Sequence, residues 1–248
     1  YDDNYHYAFP ILRELGMPAT FFVATGHIDS GLPYVYDWLV HMLLCTPAKH
    51  LDASELGIDT PIKLPRGRAA RRALGADVLG KLKSSTEVQE RAFLTRLANE
   101  WGMPANQPHP QCQPMTWSQL REMHATGMEI ASHAVSHRIL ARLPDADLAA
   151  ELNGSLGTLR RELDDSVTPV LAYPVGGPME FSERVIELAR EAGYQMGCSY
   201  VSGSNPVARA QPFELRRIPI ERYMDIGWFA AAVTIPSVFS YSHTYLHR

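Results

Sequence analysis

Short, continuously apolar runs alternate along this chain with stretches whose apolar residues recur every three or four positions. Residues 8–15 read as a helix that stops at Gly16, a natural left-handed terminator. The run Ala19-Thr20-Phe21-Phe22-Val23-Ala24-Thr25 follows without polar alternation, as suits a strand covered on both faces of a parallel sheet. Thr116 and Gln119 are spaced as a capping box at the head of a helix over 116–123, and Gly127 separates it from a strand over 128–133. Leu148, Leu152, Leu156 and Leu159 set helical spacing across 145–163. A strand over 170–174 ends at Pro174 and the Gly176-Gly177 turn. Ser182 caps a helix that runs to Ala192 and is closed by Gly193, and residues 194–200 and 215–220 read as later strands. Repeated strand–helix units of this kind predict an α/β fold with a parallel sheet, open or closed into a barrel.

Between about 31 and 114 the rhythm changes to helices, over 37–44 and 85–101. This stretch reads as a long helical insertion in one strand-to-helix loop, and residues 1–248 are expected to form a single domain that carries it. Loops of such length usually serve as lids or walls. The densest basic run, residues 66–72, is expected to be a solvated helix face.

Composition narrows the picture. The 248 residues are 46% hydrophobic, enough for a sizeable core. A net charge of -4 without a long Lys/Arg block argues against nucleic acid as a partner. No apolar run approaches the roughly 18 residues needed to cross a bilayer, and no signal peptide is visible. Cys45, Cys112 and Cys198 are too few and too scattered for a disulfide framework or a CxxC metal pattern. The compartment is left between cytoplasm and periplasm.

The sharpest chemical feature is Ser132-His133-Ala134-Val135-Ser136-His137. Histidines at i and i+4 share one face of a helical turn, so both imidazoles can reach one ion. They follow a strand directly, where parallel barrels place their active sites. Imidazole suits Zn, Co, Ni or Fe. The spacing alone is equally compatible with two unrelated histidines.

Several ordered stretches together are more specific. Met115-Thr116-Trp117 with residues 130–137 resembles the second motif of the polysaccharide deacetylase (NodB-homology) family. Pro18-Ala19-Thr20-Phe21-Phe22-Val23 resembles that family's second strand, Leu171-Ala172-Tyr173-Pro174-Val175-Gly176 its third motif, and residues 189–194 the helix-to-strand passage that follows. Residues 213–222 resemble the late strand of exopolysaccharide-type members. The resemblance implies a distorted (β/α) barrel and hydrolysis of N-acetyl groups from a hexosamine-containing polysaccharide. It implies a divalent metal, Zn first with Co or Ni as options, held by His133, His137 and an aspartate. It implies oxyanion stabilisation by the Val175 N–H, substrate contacts from Tyr173 and Pro174, and a late-strand cation, Arg217 or Arg222. Trp38 is a candidate for stacking on a sugar face, and His243 and His247 are candidates for a general acid, each against a plainer reading as core or tail.

The first family motif, Thr-Phe-Asp-Asp-Gly, has no clean match. With Asp2 as base and Asp3 as metal ligand, the gap to Thr20 is 17 positions, about one helical turn too short for the family. Asp3-Asn4-Tyr5-His6-Tyr7-Ala8-Phe9-Pro10-Ile11-Leu12 fits the segment that follows this motif better. On that register the aspartates and the first strand are expected just before residue 1, and Asp2 and Asp3 become helix N-terminal acids. Two other readings stand beside the deacetylase: a non-catalytic glycan-binding relative, and an amidohydrolase of the same superfamily acting on a small amide.

Overall fold

Gly16 adopts φ 62° and ends the first helix, α1 (Phe9–Glu14), which follows a π-helical turn at Asn4–Ala8 and carries Pro10 near its start. The structure is a computed structural model and describes residues 1–59, 61–82, 85, 87–103, 112–221 and 224–239. After α1 come β1 (Thr20–Val23), α2 (Thr25–Ser30), α3 (Val35–Cys45), the short strands β2 (His50–Leu51) and β3 (Ile62–Lys63), α4 (Arg68–Leu82) and α5 (Glu87–Glu100). Then follow α6 (Trp117–Ala125), β4 (Glu129–Ser132), α7 (Asp145–Leu163), β5 (Val170–Ala172), α8 (Glu183–Glu191), β6 (Met196–Ser202), β7 (Leu215–Arg217), α9 (Ile226–Thr234) and α10 (Pro236–Phe239). No described helix is long and apolar enough to cross a membrane.

The chain divides into two compact units, residues 1–2 with 30–115 and residues 3–29 with 116–248. The second unit is built on a parallel sheet in the order β1-β4-β5-β6-β7. Helices link β1 to β4, β4 to β5 and β5 to β6, and a 3₁₀ turn at Val207–Arg209 lies between β6 and β7. The capping box at Thr116 and Gln119 closes on α6, and the Ser182 hydroxyl accepts the Val185 N–H at the head of α8. On α7 the side chains of Leu148, Leu152, Leu156, Leu159 and Leu163 are all buried, each worth about 1.5–3 kcal/mol against exposure. Between β6 and β7 the register slips: Cys198 faces Leu215 and Ser202 faces Arg217, so four steps on one strand meet two on the other. Such bulges re-aim side chains beside functional sites.

The other unit has its own core, in which Leu39, Met42 and Leu43 of α3 meet Val78 and Leu82 of α4 and Phe93 and Leu97 of α5. One expectation changes here. Trp38 is 5% exposed and belongs to this core, stacked on His41 at 5.4 Å, so its face is not offered to a sugar. The basic run is an exposed face at Arg66, Arg68 and Arg72, and the half-buried Arg71 is its one exception. The Arg71 Nε donates to the Pro65 carbonyl at 2.8 Å, and its Nη1 to the carbonyls of Leu43 and Thr46 at 2.7 and 3.1 Å. The carbonyls left without helical partners at the end of α3 need donors, and Arg71 supplies them.

Candidate functional site

The C-terminal ends of β4, β5 and β7 place His133, Val175 and Arg217 at one end of the parallel sheet, where such sheets hold their ligands. His133 directly follows β4, and its N–H continues the ladder to the Val23 carbonyl at 2.9 Å. Its Nδ1–H donates to the Ala172 carbonyl at 2.6 Å. A carbonyl only accepts, so the proton is on Nδ1 and the lone pair on Nε2. Burial pushes the His133 pKa down to about 4, and the Arg217 charge acts the same way against the opposing pull of the Ala172 carbonyl. The ring is therefore neutral near pH 7, the form that binds metal. The ring centroids of His133 and His137 lie 4.7 Å apart at 74°.

The backbone between the two histidines corrects one expectation. Residues 133–137 are not a helical turn. Ala134 and His137 have φ of 63° and 61°, and a looped chain rather than helical i, i+4 stacking brings the rings together. The cause is competition for the loop's amides. The Ser132 hydroxyl accepts the Ala134 N–H at 3.2 Å, and Glu151 Oε2 accepts those of Val135 and Ser136 at 2.8 and 2.9 Å, which removes them from any helical ladder. Ser132 is fixed in turn by Ser155 at 2.8 Å and by the Tyr194 hydroxyl, which donates to it at 2.7 Å. Burial pushes the Tyr194 pKa up to about 12. The first residues of α2 grip the loop from the other side, the N–H groups of Thr25 and Gly26 donating to the carbonyls of Ala134 and Val135 at 3.2 and 2.9 Å.

Val175 lies beyond β5 with φ 63°, a conformation costly for a β-branched residue. Its N–H has no acceptor among the described residues. Ala134, His137 and Val175 are three of the four described non-glycine residues with positive φ, and backbone strain of this kind concentrates at functional sites. Arg217 donates through Nε to the Ser199 carbonyl at 2.6 Å and lies over the Tyr200 ring, 5.0 Å from its centroid. Burial holds its pKa below the usual guanidinium range. Tyr200 is itself tied to the turn after β5, its N–H donating to the Gly176 carbonyl at 2.6 Å.

Other expected site residues fall elsewhere. Tyr173 is 0% exposed, donates its hydroxyl to the Phe213 carbonyl at 2.8 Å and stacks on Phe181 at 4.6 Å. Its side chain belongs to the core rather than to an open surface, and Pro174 beside it is buried too. Asp3 is exposed at the head of the first turn. Among the described residues no third His, Cys, Asp or Glu stands with His133 and His137 as a metal cluster, so Asp3 does not complete the pair. Asp2 lies in the other unit, where its N–H donates to the Gln113 carbonyl at 3.1 Å. Arg222, His243 and His247 lie outside the described residues. The donor chemistry of the imidazole pair fits two ligands of a zinc-like ion: the rings are neighbours, and His133 has the oriented tautomer and neutral charge that ligation needs.

Sequence reasoning missed Glu151, Gly26 and Gly154. Glu151 falls on the leucine face of α7, and a lone acid in an apolar stripe was the available signal. The glycines carry no such mark.

Residues 77–197 match the family model described as polysaccharide deacetylase. That stretch contains both histidines and Val175. Over 124 residues the chain is 28% identical to YxkH of Bacillus subtilis (strain 168), assigned by name to the polysaccharide deacetylases; the match covers 48% of this chain and 41% of that protein. Among solved structures, the Streptococcus pyogenes deacetylase PplD in complex with acetate superposes with a TM-score of 0.53 at 19% identity, over 90% of this chain and 62% of that one. The BpsB deacetylase domain of Bordetella bronchiseptica gives a TM-score of 0.48 at 17% identity, over 88% of this chain and 66% of that one. The chain thus shares its fold with PplD and spans less than two thirds of the length of each of these relatives.

Proposed function

From the match of residues 77–197 to the polysaccharide deacetylase family model, we propose that the protein is a metal-dependent hydrolase removing N-acetyl groups from a hexosamine-containing polysaccharide. The observation that carries this reading is the proximity of the two imidazoles, with ring centroids 4.7 Å apart and Nε2 of His133 left with its lone pair. His133 and His137 would hold a divalent ion, zinc first and cobalt or nickel as alternatives. When bound, such an ion supplies Lewis acidity toward the acetamide oxygen and a nucleophilic water near neutral pH. The reaction adds water across the amide: the carbonyl carbon gains an oxygen, the C–N bond breaks, and the amine leaves with a proton alongside acetate. The Val175 N–H is a donor held by strain and without an acceptor among the described residues, suited to the developing oxyanion. Arg217 brings positive charge to the same end of the sheet from β7, anchored by its bond to Ser199 and its contact with Tyr200.

A second reading is favoured by one observation: among the described residues, no carboxylate joins the histidines. On that reading the protein holds a glycan without hydrolysing it. One experiment decides between them. Purified protein is incubated with N-acetylglucosamine oligomers and with zinc, cobalt or nickel, and free acetate is assayed. Metal-dependent acetate release, abolished by chelator and by His133→Ala, is expected. Glycan binding without acetate in any metal would establish the second reading, and neither binding nor release would sink both.

A further inference from the structure

We infer that Glu151 is a positioning residue that sets the geometry of the two histidines from the buried face of α7. This deepens the metal reading above and rests on it. Glu151 is 4% exposed, and a carboxylate so buried is tolerated only when it is densely paired. It is: Oε2 accepts the Val135 and Ser136 N–H groups at 2.8 and 2.9 Å, while Oε1 accepts the Ser136 hydroxyl and, at 3.3 Å, both Nε and Nη2 of Arg138. Every one of these donors lies in the four residues between Ala134 and Ile139, and two are the amides between the two imidazole rings. A loop without helix or ladder must find outside partners for its amides. For this loop Val23 takes the amide of His133, Ser132 that of Ala134, and Glu151 those of Val135 and Ser136. The left-handed φ values at Ala134 and His137 flank the segment that Glu151 clamps. Strained backbone of this kind persists only where its surroundings over-determine it. Without the clamp, the loop is free to relax toward ordinary φ values, and the His137 ring turns away from His133.

The carboxylate does not touch substrate and acts through the histidines, so a merely structural role must be separated from positioning. The test compares Glu151→Gln, Ser136→Ala and, as a control, Leu152→Ala, which removes a fully buried side chain from the next position of α7. Ser136→Ala deletes one donor and keeps the fold within reach if Glu151→Gln unfolds. Two readouts are taken on folded protein: cobalt affinity by titration, and backbone amide exchange at Val135 and Ser136. Glu151→Gln is expected to weaken cobalt binding 10- to 100-fold, the usual range for partners that orient ligands, and to speed exchange at both amides at least tenfold. Ser136→Ala moves both readouts the same way by less. Leu152→Ala lowers the melting temperature but leaves cobalt affinity within twofold. Wild-type-like cobalt affinity in Glu151→Gln, or a loss in Leu152→Ala that tracks stability equally, overturns the inference. A wild-type protein that binds no cobalt sinks the metal reading instead, and unchanged exchange in Glu151→Gln then sinks the positioning claim separately.

Discussion

The Ala172 carbonyl can only accept a hydrogen bond, and that single fact assigns the His133 proton to Nδ1 and its lone pair to Nε2. His133→Ala and His137→Ala should each reduce cobalt or zinc affinity by more than about 100-fold, given that loss of a mere orienting partner already costs 10- to 100-fold. Titration calorimetry on folded protein is the check, and either variant binding as wild type would break the pair. Val175 poses a sharper question, because its φ of 63° is one a β-branched residue avoids. Val175→Gly keeps the N–H and removes the strain. Strain of this class is worth on the order of 1–3 kcal/mol, while glycine's extra unfolded-state freedom costs roughly 0.5–1 kcal/mol. The sign therefore favours stabilisation by about 1 kcal/mol, measured by denaturant unfolding. The same variant should lose turnover, because the donor is no longer held in place. A less stable Val175→Gly would mean that the valine's packing outweighs its backbone cost.

At the scale of elements, the loop between the histidines is shaped by how closely its neighbours approach. A Cβ at Gly26 would meet the Val135 carbonyl oxygen at 2.9 Å and Val135 Cγ1 at 3.0 Å, and one at Gly154 would meet Val135 Cγ2 at 3.1 Å. A Cβ at Gly157, one turn further along α7, would meet nothing within 4 Å. Helix propensity alone says that each Gly→Ala change stabilises by up to about 1 kcal/mol. Contact reverses the sign where the backbone of the loop is in the way. Gly157→Ala should be stabilising by roughly that amount, whereas Gly26→Ala should be destabilising by about 1–3 kcal/mol, the usual cost of overpacking, and should weaken metal binding. Thermal unfolding and cobalt titration of the two variants give the comparison; equal effects on both would contradict the close approach. The elements themselves were legible in the sequence because their signals are local: the capping box at Thr116, the Ser182 cap, the left-handed Gly16 and the leucine stripe of α7 all act within a turn or two. The histidine loop was misread as a helical turn because its deciding partner, Glu151, is 15 residues from Ser136 and visible only once α7 packs. Tyr173 and Trp38 were misplaced for a related reason: motif position and aromatic character do not say which side of an element faces the core.

For the whole molecule, the two units carry separate cores, and the cysteines report on one of them. Cys45 is exposed at the end of α3, while Cys112 in the same unit is 6% exposed and donates its thiol to the Asp37 carbonyl at 3.7 Å. Burial, with the Asp37 charge adding to it, pushes the Cys112 pKa up to about 11. The thiolate is the reactive form, so Cys112 should react with iodoacetamide at pH 8 at least 100-fold more slowly than Cys45, at a rate set by local opening. The pH dependence of stability has a definite sign. An acid whose pKa is raised by folding keeps its proton longer in the native state than in the unfolded one. Between the unfolded value near 9 and the folded value near 11 the unfolded chain therefore binds fewer protons, and stability falls as pH rises through that window. Cys112→Ala should remove this contribution, so the difference in stability between wild type and variant should shrink from pH 8 to pH 11. Denaturant unfolding at the two pH values, with Cys45→Ala in both proteins to silence the exposed thiol, isolates it. A constant difference, or equal labelling of the two thiols at pH 8, would show that the Cys112 thiol is not held buried against the Asp37 carbonyl of α3.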